Sequence, residues 1–379
     1  MEKALSIKVA KEWTISSLAW IAILYFYYFI VFIGYKDLFI EGSFKSYAYS
    51  AEAHLEVLLQ GFFFGLFFSI INTFVEEYSP ISKRSFGQII LIKSLLYVFA
   101  ILVVIALVLF VFFIFDLHRQ IRWQELARTA PLMTLVSFLS YLLFFILFIN
   151  FIHQASRKFG RGVLWSMIQG KYSSPKVESR IFMFIDMKNS TALAEKLGHK
   201  KYSLLLRNCY SDLNKTAYKF GARIYQYVGD EVVISWKIST GLKSLNCIRA
   251  FYHFKNRISK RRSFYETNFN LVPVFKAGMD TGVVTVAEIG EIKREIAYHG
   301  TVLNTASRIQ EMCNELHAEL LISESVLRLL PSSKDFWYEK QCDIKLRGKS
   351  DPINLYKVML PSGDQSEGPL NKVKAEINQ

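Results

Sequence analysis

The chain has 379 residues, 52% of them hydrophobic and 15% aromatic, with a formal net charge of +14. That length has room for about two domains, and so apolar a composition excludes an ordinary soluble protein from end to end. Residues 1–155 hold 11 Lys and Arg against 10 Asp and Glu, which leaves 35 against 22 for residues 156–379, so the basic excess sits in the second half.

The apolar residues gather in four blocks, about 13–35, 57–75, 88–115 and 131–152, each near or above the ~20 residues that cross a bilayer. The expected first domain is therefore a four-helix transmembrane domain over residues 1–152. Its first block, WTISSLAWIAILYFYYFIVFIGY, is too long and aromatic for a cleaved signal peptide and has no small-residue cleavage site after it. It is expected to be kept as a helix. Lys3, Lys8, Lys11, Lys83, Arg84, Arg157, Lys158, Arg161 and Lys171 flank one side of the spans, and Lys36, Lys45, Arg119, Arg122 and Arg128 the other. This bias predicts cytoplasmic termini and a multi-pass protein of the inner cell membrane. Lys93, near the start of the third span, is expected to snorkel to the interface. The other polar groups, chiefly Asn72 and Asn150, mark no ion or substrate pathway, and the region reads either as an anchor or as a ligand-sensing module.

Residues 153–178, HQASRKFGRGVLWSMIQGKYSSPKVE, read as a cytoplasmic coupling segment. Their basic side chains suit the anionic inner leaflet, and 163-VLWSMIQG-170 predicts a short amphipathic helix before a Ser-Ser-Pro break. From Arg180 short strands alternate with helices. The run 180-RIFMFID-186 is an apolar strand ending in a carboxylate, followed by helices over 189–197 and about 199–218. The stretch 222-ARIYQYVGDEVVISW-236 is a ribbon of two strands with Gly229, Asp230 and Glu231 at its tip. A helix at about 240–260, a strand at 271–282, a hairpin at 283–298, a helix at about 301–314 and strands around 344–359 complete the pattern. This β-α-β-β-α-β order predicts an α+β sheet with helices packed on one face. The polar tail, 361–379, is expected to be disordered. Cys209, Cys247, Cys313 and Cys342 have wide, irregular spacing, form no Cys-x-x-Cys metal pattern, and read as reduced core thiols.

A Gly-Asp tip between strands is ordinary hairpin chemistry. But Asp186 also presents a carboxylate at a strand end, and neighbouring strands of one sheet would bring Asp186 and Asp230 together. Two carboxylates at one sheet edge need a cation between them, for which a hard divalent metal is the natural choice. Asn189, Ser190 and Thr191 then open a helix, whose first N–H groups form an anion site; plain N-capping by Asn189 or Ser190 is compatible with that. Carboxylates for metal beside amides for phosphate point to a nucleotide polyphosphate.

Five segments, 182-FMFIDMKNSTALAE-195, 225-YQYVGDEVV-233, 278-GMDTG-282, 299-HGTVLNTASRI-309 and 345-KLRGKSDPINLYKV-358, resemble the ordered blocks of class III adenylyl and guanylyl cyclases over about residues 178–360. The resemblance implies a ferredoxin-like catalytic domain at 179–360 that works as a homodimer with nucleotide at the interface. It implies that Asp186 and Asp230, helped by the main chain of Met187, hold two Mg²⁺ or Mn²⁺ ions. Asn304 matches the residue that orients the ribose, and Arg308, one helical turn on, the one that stabilises charge on the α-phosphoryl group. Asn189, Ser190, Thr191, Arg347 and Lys349 fall where the phosphates are held. Gln226 and Ala297 fall at the base-reading positions, where adenylyl cyclases usually carry Lys with Asp or Thr and guanylyl cyclases Glu with Cys, so neither specificity set is present. The implied reaction is ATP to 3′,5′-cyclic AMP and pyrophosphate; the implied partners are ATP, a second copy of the chain and the lipid bilayer, with no nucleic acid. GTP as substrate, dual specificity, or an idle nucleotide-binding signalling domain are the alternatives. The VGDE stretch also resembles the GGDEF signature of diguanylate cyclases, although Val228 and Val232 replace its first Gly and its Phe.

Overall fold

The computed structural model describes residues 2–31, 50–77, 84–115, 132–160, 163–292, 294–341 and 352–361. The chain divides into two compact units, Met1–Phe159 and Gly160–Gln379.

Four long helices form the first unit: α1 (Glu2–Phe29), α2 (Ala51–Glu77), α3 (Phe86–Ile114) and α4 (Leu132–Phe159). Among the described residues three stretches are long and apolar enough to cross a membrane, Ala51–Val75, Phe86–Ile114 and Val136–Ser156; α1 is helical but is not one of them. The backbones of α1 and α2 nearly touch. A Cβ on Gly65 would stand 2.2 Å from the Ser17 Cα, and one on Gly61 2.7 Å from the Ile21 Cα, the small-residue crossing that lets apolar helices gain contact without a solvent driving force. Ser17 Oγ donates to the Phe62 carbonyl at 3.0 Å across that crossing.

Lys93 does not snorkel. It is fully buried, and its Nζ donates to Asn72 Oδ1 at 2.7 Å, which also accepts from the Tyr97 hydroxyl at 2.8 Å. Ile89, Lys93 and Tyr97 are buried at four-residue spacing on one stripe of α3, so the lysine stem faces a neighbouring helix rather than the outside. A cation placed there must be met by polar groups, because leaving it unpaired in apolar surroundings is costly. Asn150 ties α4 to α3, its Nδ2 donating at 3.0 Å to both the Ser94 hydroxyl and the Ile90 carbonyl.

The second unit opens with α5 (Val163–Ile168) and β1 (Lys176–Met187), then α6 (Ser190–Lys219), β2 (Arg223–Val228), β3 (Glu231–Lys237), α7 (Ile238–Leu242), α8 (Asn246–Lys260) and α9 (Arg262–Phe269). It continues with β4 (Phe275–Ile289), β5 (Glu295–His299), α10 (Thr301–Met312), β6 (Leu320–Ser323), α11 (Glu324–Leu329), β7 (Trp337–Lys340) and β8 (Leu355–Met359). The eight strands form one sheet in the order β2-β3-β1-β4-β6-β8-β7, with β5 paired to β4.

Helices do not all lie on one face, as the sequence pattern predicted. Ile181, Met183 and Ile185 of β1 point into the main core with Leu205 of α6 and Phe251 of α8. Phe182 and Phe184 point the other way, into a second cluster with Val302 and Ala306 of α10. An uninterrupted apolar run such as Ile181–Ile185 is what a strand covered on both faces requires. The helices expected over 189–197 and 199–218 are the two halves of α6, divided at Gly198, whose backbone is non-helical with φ +71°. Short elements α9, β6, α11 and β7 had no counterpart in the sequence reading, while part of the expected strand region, 342–351, and the tail from 362 lie outside the described residues.

Residues 163–175 belong to this second unit. Tyr172 is buried among Phe182 and Phe184, and its carbonyl accepts from Glu288 N at 2.9 Å. Trp165 and Ile168 of α5 are left exposed. Cys209, Cys247 and Cys313 are buried free thiols, each pushed up to about 12 chiefly by burial; Cys342 lies outside the described residues.

One glycine decides how closely α10 sits. A Cβ on Gly278 of β4 would stand 2.2 Å from Gln310 N and 2.6 Å from the Ala306 carbonyl oxygen. Gly278→Val is expected to lift α10 from the sheet and cost about 3 kcal/mol, read as a fall in the urea midpoint; an unchanged midpoint would show that the helix can shift freely.

Candidate active site

The site grows from the β1–β3 pairing. The two strands run antiparallel with Ile185 opposite Val232, so the end of β1 and the tip of the β2–β3 hairpin meet at the same sheet edge. Val228 and Glu231 close that hairpin over a two-residue turn, Gly229 and Asp230. Gly229 has φ +61°, the conformation that asks for glycine at the first position of such a turn. The Tyr210 hydroxyl donates to the Gly229 carbonyl at 2.7 Å and pins the turn to α6.

Asp186 and Asp230 are thereby brought together. The Asp186 carboxyl is held above the usual carboxylate range, first by burial and then by the Asp230 carboxylate within hydrogen-bonding reach. Glu231 is raised to about 7 by burial and by Asp186, Asp230 and Glu311. Into this negative field comes Lys276 from β4, its Nζ 3.4 Å from Asp186 Oδ2, while Gln310 Nε2 of α10 donates to the same oxygen at 3.0 Å.

The other residues singled out from sequence are placed as follows. Met187 has its side chain in the core beside Ile185, which leaves its main chain for the site. Asn189 stands at the N-cap of α6 but makes no side-chain cap bond, and has φ +57°, a left-handed turn that Asn tolerates better than most residues. It caps with its carbonyl only, which accepts from Leu193 N at 3.0 Å. Ser190 stands close enough to the Tyr202 hydroxyl to offset part of the rise that burial gives it, and Thr191 is exposed. Asn304 and Arg308 share the outward side of α10, whose other side buries Val302, Thr305, Ala306 and Ile309. Gln226 is exposed on the edge strand β2, and Ala297 is buried on β5 opposite Ala287. A bulge between Ile224 and Gln226 accompanies contact of the Tyr225 ring with Tyr298, edge-on at 4.9 Å, so the strands carrying Gln226 and Ala297 meet through the neighbours of those residues. Arg347 and Lys349 lie outside the described residues.

Sequence reasoning missed Lys276, Gln310, Tyr202 and Tyr210. A signal existed for the first, a lone charge in the apolar strand Phe275–Met279, but no local pattern says what it faces.

The residues fit a hard divalent cation. Two carboxylates side by side, of which Asp186 is raised by burial and by Asp230, are relieved by one, and oxygen is the ligand such ions take. Among the described residues no group of three or more His, Cys, Asp or Glu could hold a metal ion. Water and phosphate oxygens would therefore complete the coordination, as Mg²⁺ prefers.

The family described as adenylate and guanylate cyclase catalytic domain matches residues 173–359. The second unit is similar to that family over this range. The matched range takes in the whole sheet and both carboxylates, and it starts at the Ser173–Pro175 break after the buried Tyr172. Adenylate cyclase 2 of Rhizobium meliloti (strain 1021) is 33% identical over 171 residues, 45% of this chain and 47% of that protein. The adenylate cyclase of Anabaena cylindrica is 22% identical over 179 residues, 46% of this chain and 36% of that protein. The alignments thus span less than half of either relative. Among solved structures, a bacterial light-regulated adenylyl cyclase shares the fold with TM-score 0.51 and 18% identity, over 67% of this chain and 72% of that one. The matched range is thus preceded by a helical unit in which, among the described residues, three stretches suffice to cross a membrane.

Proposed function

We propose that this chain is a membrane-bound adenylate cyclase, which converts ATP to 3′,5′-cyclic AMP and pyrophosphate. The observation that carries the reading is the abutment of Asp186 and Asp230 at one edge of a cyclase-like sheet, where Asp230 adds to burial in raising Asp186. With the Met187 main chain they would hold two Mg²⁺ or Mn²⁺ ions, which when bound would ease ionisation of the ribose 3′-hydroxyl and grip the β- and γ-phosphates. The backbone at Asn189–Thr191 offers N–H groups to phosphate oxygens, with Arg347 and Lys349 as further cations. Asn304 would orient the ribose and Arg308 stabilise charge on the α-phosphoryl group, from the outward side of α10. Neither side chain makes a hydrogen bond or ion pair with another described residue, which supports their use by a ligand held jointly with a second chain. The close α1–α2 crossing at Gly61 and Gly65 supports α1 as a fourth span, with the cyclase unit on the cytoplasmic side of the inner membrane.

Purified full-length protein, given ATP or GTP with Mn²⁺ and its product identified by chromatography, tests the reading; no cyclic nucleotide from either would overturn it. Adenine is preferred on the relatives named adenylate cyclase. Gln226 has an amide that both donates and accepts, and Ala297 offers no side-chain bond. Discrimination between ATP and GTP is therefore expected to be modest. A preference of ~10⁴ or more in competition kinetics, the scale of a dedicated hydrogen-bonding site, would show that other residues read the base.

A further inference from the structure

We infer that Lys276 is a positioning residue that acts as the resident counter-charge of Asp186 and sets how tightly a divalent cation is held there. The inference rests on the proposed function, which supplies the cation. Lys276 stands directly opposite Asp186 in the β1–β4 register, so the contact is fixed by strand pairing rather than by a flexible reach. Its side chain is only 8% exposed against 21% for Asp186. A buried ammonium is tolerated where a partner charge meets it, and among the described residues Asp186 is its ion-pair partner, at 3.4 Å.

Gln310 completes the holder. It reaches the same Oδ2 at 3.0 Å, and it can do so because Gly278, two residues along β4 from Lys276, admits the α10 backbone onto the sheet. One oxygen of Asp186 is thus gripped from two elements. The two grips differ in what they do to an incoming ion. The amide of Gln310 is neutral and orients the carboxylate; the ammonium orients it too, but adds a fixed positive charge within a few ångströms of where the ion must sit. Without metal, Lys276 relieves the repulsion among Asp186, Asp230 and Glu231. With metal, it opposes the ion, keeping the affinity low enough for exchange.

These roles predict opposite signs. In full-length protein without nucleotide, Mn²⁺ binding is read from the electron paramagnetic resonance of the free ion, and thermal melting is followed in parallel. Lys276→Met is expected to bind Mn²⁺ about tenfold more tightly or better, from loss of a like charge at short range, and to melt lower than wild type when no metal is present. Lys276→Arg keeps the charge and should stay within about threefold of wild type. Gln310→Leu, which loosens the carboxylate without changing charge, should bind Mn²⁺ more weakly. If Lys276→Met does not fold, Lys276→Gln is read in its place. A folded neutral variant with unchanged or weaker Mn²⁺ binding, in a protein whose wild type makes cyclic nucleotide, overturns the role of Lys276 alone. A wild type that neither turns over nucleotide nor binds Mn²⁺ overturns the proposed function and this inference with it.

Discussion

Asp230→Ala is expected to abolish cyclic nucleotide formation while leaving the fold intact. Loss of a carboxylate that holds a catalytic ion removes several kcal/mol of transition-state stabilisation, or about 10³-fold or more in kcat. The fold should tolerate it because Asp230 sits in a two-residue turn that is already held by the Tyr210–Gly229 hydrogen bond. Its removal also relieves Asp186 and Glu231, both of which its charge pushes upward. The melting temperature without metal should therefore be unchanged or slightly higher, and the Mn²⁺-induced rise in melting temperature should shrink. A folded Asp230→Ala protein with wild-type turnover would sink the assignment of that residue.

Mixing two dead chains is expected to restore activity. If each site takes its metal carboxylates from one chain and Asn304 with Arg308 from another, the Asp186→Ala and Arg308→Ala homodimers each lack half of both sites. A heterodimer then has one site with both lesions and one with neither. Random pairing makes about half the dimers mixed, each with one working site of two, so co-expression should recover up to roughly a quarter of wild-type turnover. The structural motive is that Arg308 lies on the outward side of α10, while Gln310, two residues on, is turned inward and holds Asp186 of the same chain. The helix therefore serves its own carboxylate with one side and leaves the other side for a neighbour. The readout is cyclic nucleotide formed by tagged, co-purified pairs; silence from pairs that fold and associate would refute a shared site.

The sequence by itself determined whatever depends on near neighbours along the chain. Four apolar blocks follow from composition within some twenty residues, although among the described residues α1 is not a stretch apolar enough to cross alone. Asp186 and Asp230 were legible because each ends or turns a strand, and because each lies in one of five ordered segments; the pairing of β1 with β3 then sets them at one edge. What only the tertiary structure decided depends on contacts between distant segments. Lys93 read as a snorkelling residue because a helix apolar on every side does not say which way a side chain points; packing turned it onto Asn72 of α2. The position of α10 on the second face could not be read from its own pattern, since one apolar stripe fits either side of a sheet. Lys276 and Gln310 meet Asp186 because strand register fixes one of them and because the missing Cβ of Gly278 lets a helix backbone come close enough to fix the other. Register and backbone approach are properties of the assembled sheet, and no stretch of sequence short enough to show periodicity contains them.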